Sequence, residues 1–369
     1  MRTFSKLCAG IVVMAITLYA QADSGESIVL DPTTGNYTIT YGGDSTNLSQ
    51  TVFVPATKID PTIRSSFRLN ERDVITYRYT VFNGATAKQA IIGIVLKQIA
   101  NPIIGELPFP DGTFPNLIVE KAAYDAYNAA VKTSVASPLN WDGDITRRLS
   151  QVDWSPNTAT YNTGGIHPGQ TLSGFGFNSL DLPGISQSSW MNGRIEDNEI
   201  FGFPDDGPDE SSPIFAQLNQ LRDNDFIIRN TAVPMIAVPV PFDAATLLDR
   251  IRSQMFTWSG TQLINSAFAT QLDRYMVAAA NAYRSNQPKV GKEQIESVRK
   301  LLEHEHNYLD HDEEDHEDTA EHKAATRLTI DRLAARVLDF DLRYVLKRME
   351  REHEHDHDEG DRRKEQERR

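Results

Sequence analysis

Apolar residues recur with a period of two before Pro241 and with a period near 3.6 after Asp243, so one kind of layer cannot accommodate both halves. In VITYRYTVF (Val74 to Phe82), Tyr77, Tyr79 and Val81 alternate with Thr76, Arg78 and Thr80. That is the pattern of a strand buried on one face. NYTITY (Asn36 to Tyr41), TVFVPA (Thr51 to Ala56) and AIIGIVLKQI (Ala90 to Ile99) are also rich in β-branched and aromatic residues, with Gly-Gly, Asn-Gly and proline turns between them. Such spacing predicts an antiparallel β-sandwich over residues 23–241. One helical excursion is predicted inside it, Val119 to Val131, where Ala and Tyr recur at helical spacing. PMIAVPVP (Pro234 to Pro241) reads as the boundary, because repeated prolines resist both helix and central strand.

Beyond the boundary the predicted fold is an antiparallel four-helix bundle over residues 243–349. Asp243 is the expected N-cap of the first helix, whose buried stripe is Leu247, Leu248, Ile251, Met255 and Trp258. Phe268, Leu272, Tyr275, Met276, Ala279 and Tyr283 mark the second helix. Pro288 opens a third, with Ile295, Val298, Leu301 and Leu302. Thr329 is the expected cap of a fourth, with Asp331 in its first turn and a stripe of Ile330, Ala334, Leu338, Leu342, Val345 and Met349.

An acidic, histidine-rich insert interrupts this bundle at about 303–325, reading HEHNYLDHDEEDHEDTAEH from His304 to His322. A second tract, HEHDH, lies at His353 to His357 in a charged tail, residues 350–369, expected to be disordered. The candidate metal ligands are therefore His304, His306, His311, His316, His322, His353, His355 and His357. Neutral imidazole suits Zn²⁺ or Ni²⁺, and carboxylates add charge. The alternative is a solvated acidic insert whose histidines add pH sensitivity. HEHDH also matches His-Glu-x-x-His. That motif needs a docked helix around the zinc, and this tail has no apolar stripe to dock it.

Residues 1–22 read as a secretory signal peptide: Arg2 and Lys6, an apolar run from Leu7 to Tyr19, then Ala20-Gln21-Ala22 before Asp23. Cleavage between Ala22 and Asp23 would remove the sole cysteine, Cys8, and take the formal charge from -14 to -16 through loss of Arg2 and Lys6. The expected location is secreted or periplasmic, with no transmembrane segment in the mature chain. An acidic chain without a basic stripe is a poor partner for nucleic acid.

Enzyme signatures are absent: no Gly-x-Ser-x-Gly elbow and no phosphate-binding glycine loop. His167, the one histidine outside the tracts, reads as a turn residue; a nucleophilic system on it would need Ser173 or Ser179. Asp142-Gly143-Asp144 and Asp205 to Glu210 offer oxygen ligands for Ca²⁺ without EF-hand spacing. Trp141 and Trp154 read as core residues, with a sugar-binding platform as the alternative.

Two resemblances follow from these residues. HPGQTLSGFGFNSLDLPG (His167 to Gly184) resembles the penultimate strands of immunoglobulin-like modules of bacterial surface proteins. The run LLDRIRSQM, LINSAFATQLDRYMVAAANAY, IESVRKLLEHE and LTIDRLAARVLDFDLRYVLKRM, from Leu247 to Met349, resembles the FIMAH-type helical module of exported bacterial proteins. It departs from that pattern where the histidine-rich insert stands. The resemblance implies an accessory, non-catalytic role and carries no catalytic residue. The expectation is an exported binding or scaffolding protein with an unidentified protein or polysaccharide partner at the cell surface. A periplasmic Zn²⁺ or Ni²⁺ binder and a carbohydrate-binding protein are the alternatives.

Overall fold

The structure, a computed structural model, describes residues 25–42, 48–97, 99, 103–105, 107, 110, 112–146, 150–157, 164–193, 213–223, 226–305 and 329–367. The expected signal peptide, Asp205 to Glu210 and most of the histidine-rich insert lie outside them. The strands in chain order are β1 (Ser27–Leu30), β2 (Tyr37–Tyr41), β3 (Ser49–Phe53), β4 (Pro61–Leu69), β5 (Ile75–Asn83), β6 (Ala90–Lys97), β7 (Val135–Ala136), β8 (Trp141–Thr146), β9 (Gln151–Pro156), β10 (Thr171–Ser179), β11 (Leu182–Gly193) and β12 (Ile227–Ile236). The α-helices are α1 (Leu117–Ser134), α2 (Pro213–Asp223), α3 (Ala244–Gly260), α4 (Ser266–Arg284), α5 (Pro288–Glu305) and α6 (Arg332–Glu367). They build three antiparallel sheets and a helical part, a multidomain β-plus-helical arrangement.

Contacts divide the chain into two compact units, one from Met1–Ala56 with Glu196–Asp225, the other from Thr57–Ile195 with Phe226–Arg369. In the first, the sheet β1-β2-β3 turns Ile39, Tyr41 and Phe53 onto Ile214 and Leu218 of α2. Period two on β2 and period four on α2 each give a single apolar face, and the two faces cover one another.

In the second unit, one sheet has the order β4-β5-β10-β7 and the other β12-β11-β6-β9-β8. Their side chains meet in an aromatic core. Trp154 stacks on Phe177 at 6.3 Å, Tyr79 lies 6.1 Å from Trp154, and Trp141 meets Phe175 edge-on at 5.2 Å. Tyr77 and Tyr79 are wholly buried but satisfied, donating to the carbonyls of Asp181 and Ala232. Buried hydroxyls need such partners, since an unmet one costs about 1–3 kcal/mol.

The helices follow the predicted stripes closely. Asp243 caps α3 by accepting from the Thr246 amide, and Leu247, Leu248, Ile251, Met255 and Trp258 are all buried. α3 packs on α4, α4 on α5, α5 on α6 and α6 on α3. Each fully buried Leu or Ile of these stripes contributes roughly 1.5–3 kcal/mol.

Four expectations are corrected. Pro234 to Pro241 does not separate two cores: Pro234 lies inside β12, an edge strand where a missing amide is tolerated. The helices share one continuous core with the second unit's sheets, Phe340 of α6 meeting Phe67 of β4 at 4.9 Å. The separate domains expected at 23–241 and 243–349 therefore share a core, while β1–β3 fall in the other unit. Thr329 does not cap α6; Asp331 does, accepting from the Leu333 amide, while Ile330 bridges to Ile264 before the helix begins. Residues 350–367 continue α6 as helix rather than an unstructured tail. Acids four residues before bases, Asp358 before Arg362 and Glu359 before Arg363, are a helix-favouring sequence pattern.

Candidate functional site

The two histidine tracts are not brought together. His304 ends α5, whereas His353, His355 and His357 fall on α6. Lys292 pairs with Glu350 at 2.9 Å and Arg299 with Asp339 at 2.7 Å, so α5 and α6 run antiparallel. His304 lies twelve residues beyond Lys292, roughly 18 Å along the helix, while His353 lies just past Glu350. His306, His311, His316 and His322 lie outside the described residues. No cluster of three or more metal-ligating side chains occurs among the described residues. The helical backbone does place positions 353 and 357 one turn apart, with 355 between them.

Asp142 and Asp144, offered by the sequence as oxygen ligands for Ca²⁺, stand on β8. Asp144 lies directly opposite Asp153 of β9, and Val95 of β6 and Ser189 of β11 continue the same row across the sheet. Cross-strand partners share a face, so this row faces away from the aromatic core. Gly143, on the opposite face, must be glycine: a Cβ there would stand 2.5 Å from Val135 Cγ1 and 2.8 Å from Trp154 Nε1. Burial, then the facing Asp144 carboxylate, push the Asp153 carboxyl up to about 6, opposed by a 3.3 Å hydrogen bond from Thr146.

The tryptophans are settled by burial. Trp141 and Trp154 donate their indole N–H groups to the carbonyls of Gly164 and Ala136, and all four tryptophans are at most 5% exposed. A sugar-stacking platform on Trp141 or Trp154 is excluded. His167 lies beside the turn at Pro168 and Gly169, its amide bonded to Gln170 Oε1. Ser179 is wholly buried at the far end of β10, accepting from the Asp181 amide.

Two acids on α6 escaped the sequence reading. Asp339 is almost fully buried and held by Arg299 and Arg343. Asp341 is wholly buried, and neither carboxylate oxygen has a hydrogen-bond partner. Burial, then the neighbouring Asp339, raise its carboxyl well above the usual range. The signal available was their place in LDFDLRYV, where a helix apolar on most sides leaves little room for a solvent face.

Compared with protein-family models, curated proteins and solved structures, the chain matches none. No helix among the described residues is long and apolar enough to cross a membrane.

Proposed function

We propose that this is an exported, non-catalytic accessory protein that presents a charged segment from a rigid body. Its β4–β12 sheets are read as an immunoglobulin-like sandwich, and α3–α6 as a four-helix bundle of the FIMAH type. The observation that carries the reading is the course of α6. Val337, Leu338, Leu342 and Val345 are wholly buried, Asp73 grips Arg348 and Arg351, and the helix then runs on to Glu367. A helix fixed in a core and prolonged past it is a support for display, because the ordering entropy of the support is already met. The test is a photo-crosslinking residue at position 361 or, as control, at 121, in the exported protein within its producing cells. Adducts specific to 361 support presentation; equal labelling at both positions refutes it.

A second reading has its own support, the one-turn spacing of positions 353 and 357, which suits chelation of Zn²⁺ or Ni²⁺ by an imidazole pair. Equilibrium dialysis of the full chain against a variant lacking residues 304–322 and 353–357 tests it. Equal metal uptake by the two proteins eliminates that reading.

A further inference from the structure

Asp341 lies midway along the enclosed part of α6, and its surroundings are specific. On its own helix stand Asp339 and Arg343; from α5 comes Arg299, committed to Asp339. From β5 come Tyr77 and Tyr79. The Tyr77 proton is held more tightly by burial first, then by Tyr79, Asp341 and Asp181, and burial likewise tightens the hold of Tyr79 on its own. Both tyrosine hydroxyls already donate to backbone carbonyls. α3 and β12 bring Leu248, Ile251, Met255, Ala232 and Val233 into the same core, none of which titrates. The bonds these groups make thus go elsewhere, and neither a hydrogen bond nor an ion pair reaches the Asp341 carboxylate among the described residues. A lone carboxylate in such a place is far less favourable than the neutral acid.

We propose that Asp341 is a proton-operated latch on α6: the helix stays seated against β11, β12, α3 and α5 while that carboxyl keeps its proton, and loosens when the proton leaves. The carboxyl binds its proton more tightly in the folded chain than in the unfolded one, where an aspartate titrates near about 3.9. Its cost to the fold is therefore absent below about pH 4, grows as pH rises toward the folded-state value, and is constant above it. Because α6 continues into residues 350–367, the response reaches the displayed segment as well.

The test uses the full chain and the variants Asp341→Asn, Asp341→Leu and Tyr77→Phe. Hydrogen–deuterium exchange protection of the α6 amides is followed from pH 4 to pH 9 and corrected for intrinsic exchange. Wild type should lose at least about tenfold in protection relative to Asp341→Asn or Asp341→Leu as pH rises. The three should converge at pH 4, and Tyr77→Phe should behave as wild type. Parallel profiles overturn the proposal, as does a response abolished by Tyr77→Phe and kept by Asp341→Asn. So does failure of both Asp341 variants to fold at every pH, which would make the carboxyl a structural requirement.

Discussion

Asp73 accepts a hydrogen bond from Arg348 across the gap between the β4–β5 hairpin and α6. It takes a second from Arg351, one turn further on, at 2.5 Å. Asp73 does this from the left-handed backbone region, φ 60°, with its amide bonded to the Asn70 carbonyl. Asn70 Oδ1 accepts in turn from the amides of Arg72 and Val74. The Arg348 guanidinium also lies 4.8 Å over the ring of Phe242. One tight turn thus fixes the point at which α6 leaves the core.

The clamp divides into a charge part and a backbone part. Asp73→Asn keeps the tolerance of a left-handed backbone and loses the charge, and should cost about 1 kcal/mol, since the pair is partly exposed. Asp73→Ala should cost about 1 kcal/mol more, for the conformation. Urea unfolding of the two variants checks this; equal losses would mean that the left-handed backbone contributes nothing.

Asp153 should make the fold sensitive to pH in a narrow window. Its folded-state proton affinity is raised, to about 6, so the carboxyl is neutral at no cost below about pH 4 and destabilises progressively between pH 4 and 6. Asp153→Asn should raise the thermal midpoint at pH 8 and leave it unchanged at pH 4. After allowance for solvent screening the gain is about 1–2 kcal/mol. An equal shift at both pH values would show that charge is not the cause. Asp144→Asn should bring part of the same gain by removing the facing carboxylate.

Arg299 neutralises a buried acid. Arg299→Met should cost about 3 kcal/mol, since it strips one partner from the almost inaccessible Asp339. Adding Asp339→Asn should recover more than half of that loss, because no buried charge is then left under-compensated. A double-mutant cycle by urea unfolding measures the recovery, and strict additivity would contradict it.

Gly176 should tolerate no side chain. A Cβ would stand 2.2 Å from the Tyr77 carbonyl oxygen, which is backbone in a central ladder and cannot move aside. Gly176→Ala should lower stability by about 2 kcal/mol or more, whereas Gly112→Ala, with nothing within 4 Å of its Cβ, should stay within about 0.5 kcal/mol of wild type. Thermal midpoints of the two variants make the comparison.

What could be read from the chain beforehand depended on local redundancy. α3 was legible because cap and stripe agree: Asp243 stops the backbone and Leu247 to Trp258 repeat on one face. β5 was legible because its alternation is strict, and every second residue from Ile75 to Asn83 is buried. β11 was not, since LPGISQSSWMNG mixes glycine, proline and serine, and its pairing with both β12 and β6 supplies what its composition lacks. α2 has too short a stripe, Ile214, Leu218 and Leu221, to register until β2 and β3 cover it. For the site, Asp142 and Asp144 were visible as acids, but their register with Asp153 is a long-range fact that no local pattern encodes. Asp339 and Asp341 escaped notice because their burial comes from partners on several other elements.

The small unit is written in two instalments. Phe53 ends its sheet, and the helix that covers Ile39, Tyr41 and Phe53 begins only at Pro213. A ribosome adding about 5–20 residues per second needs roughly 10–30 seconds to cross that interval. Throughout that time the nascent chain carries a sheet face with nothing to bury it against. Strands among the earliest to be synthesised thus wait for a helix encoded far downstream, and the small unit closes only after most of the larger unit's strands have already been made.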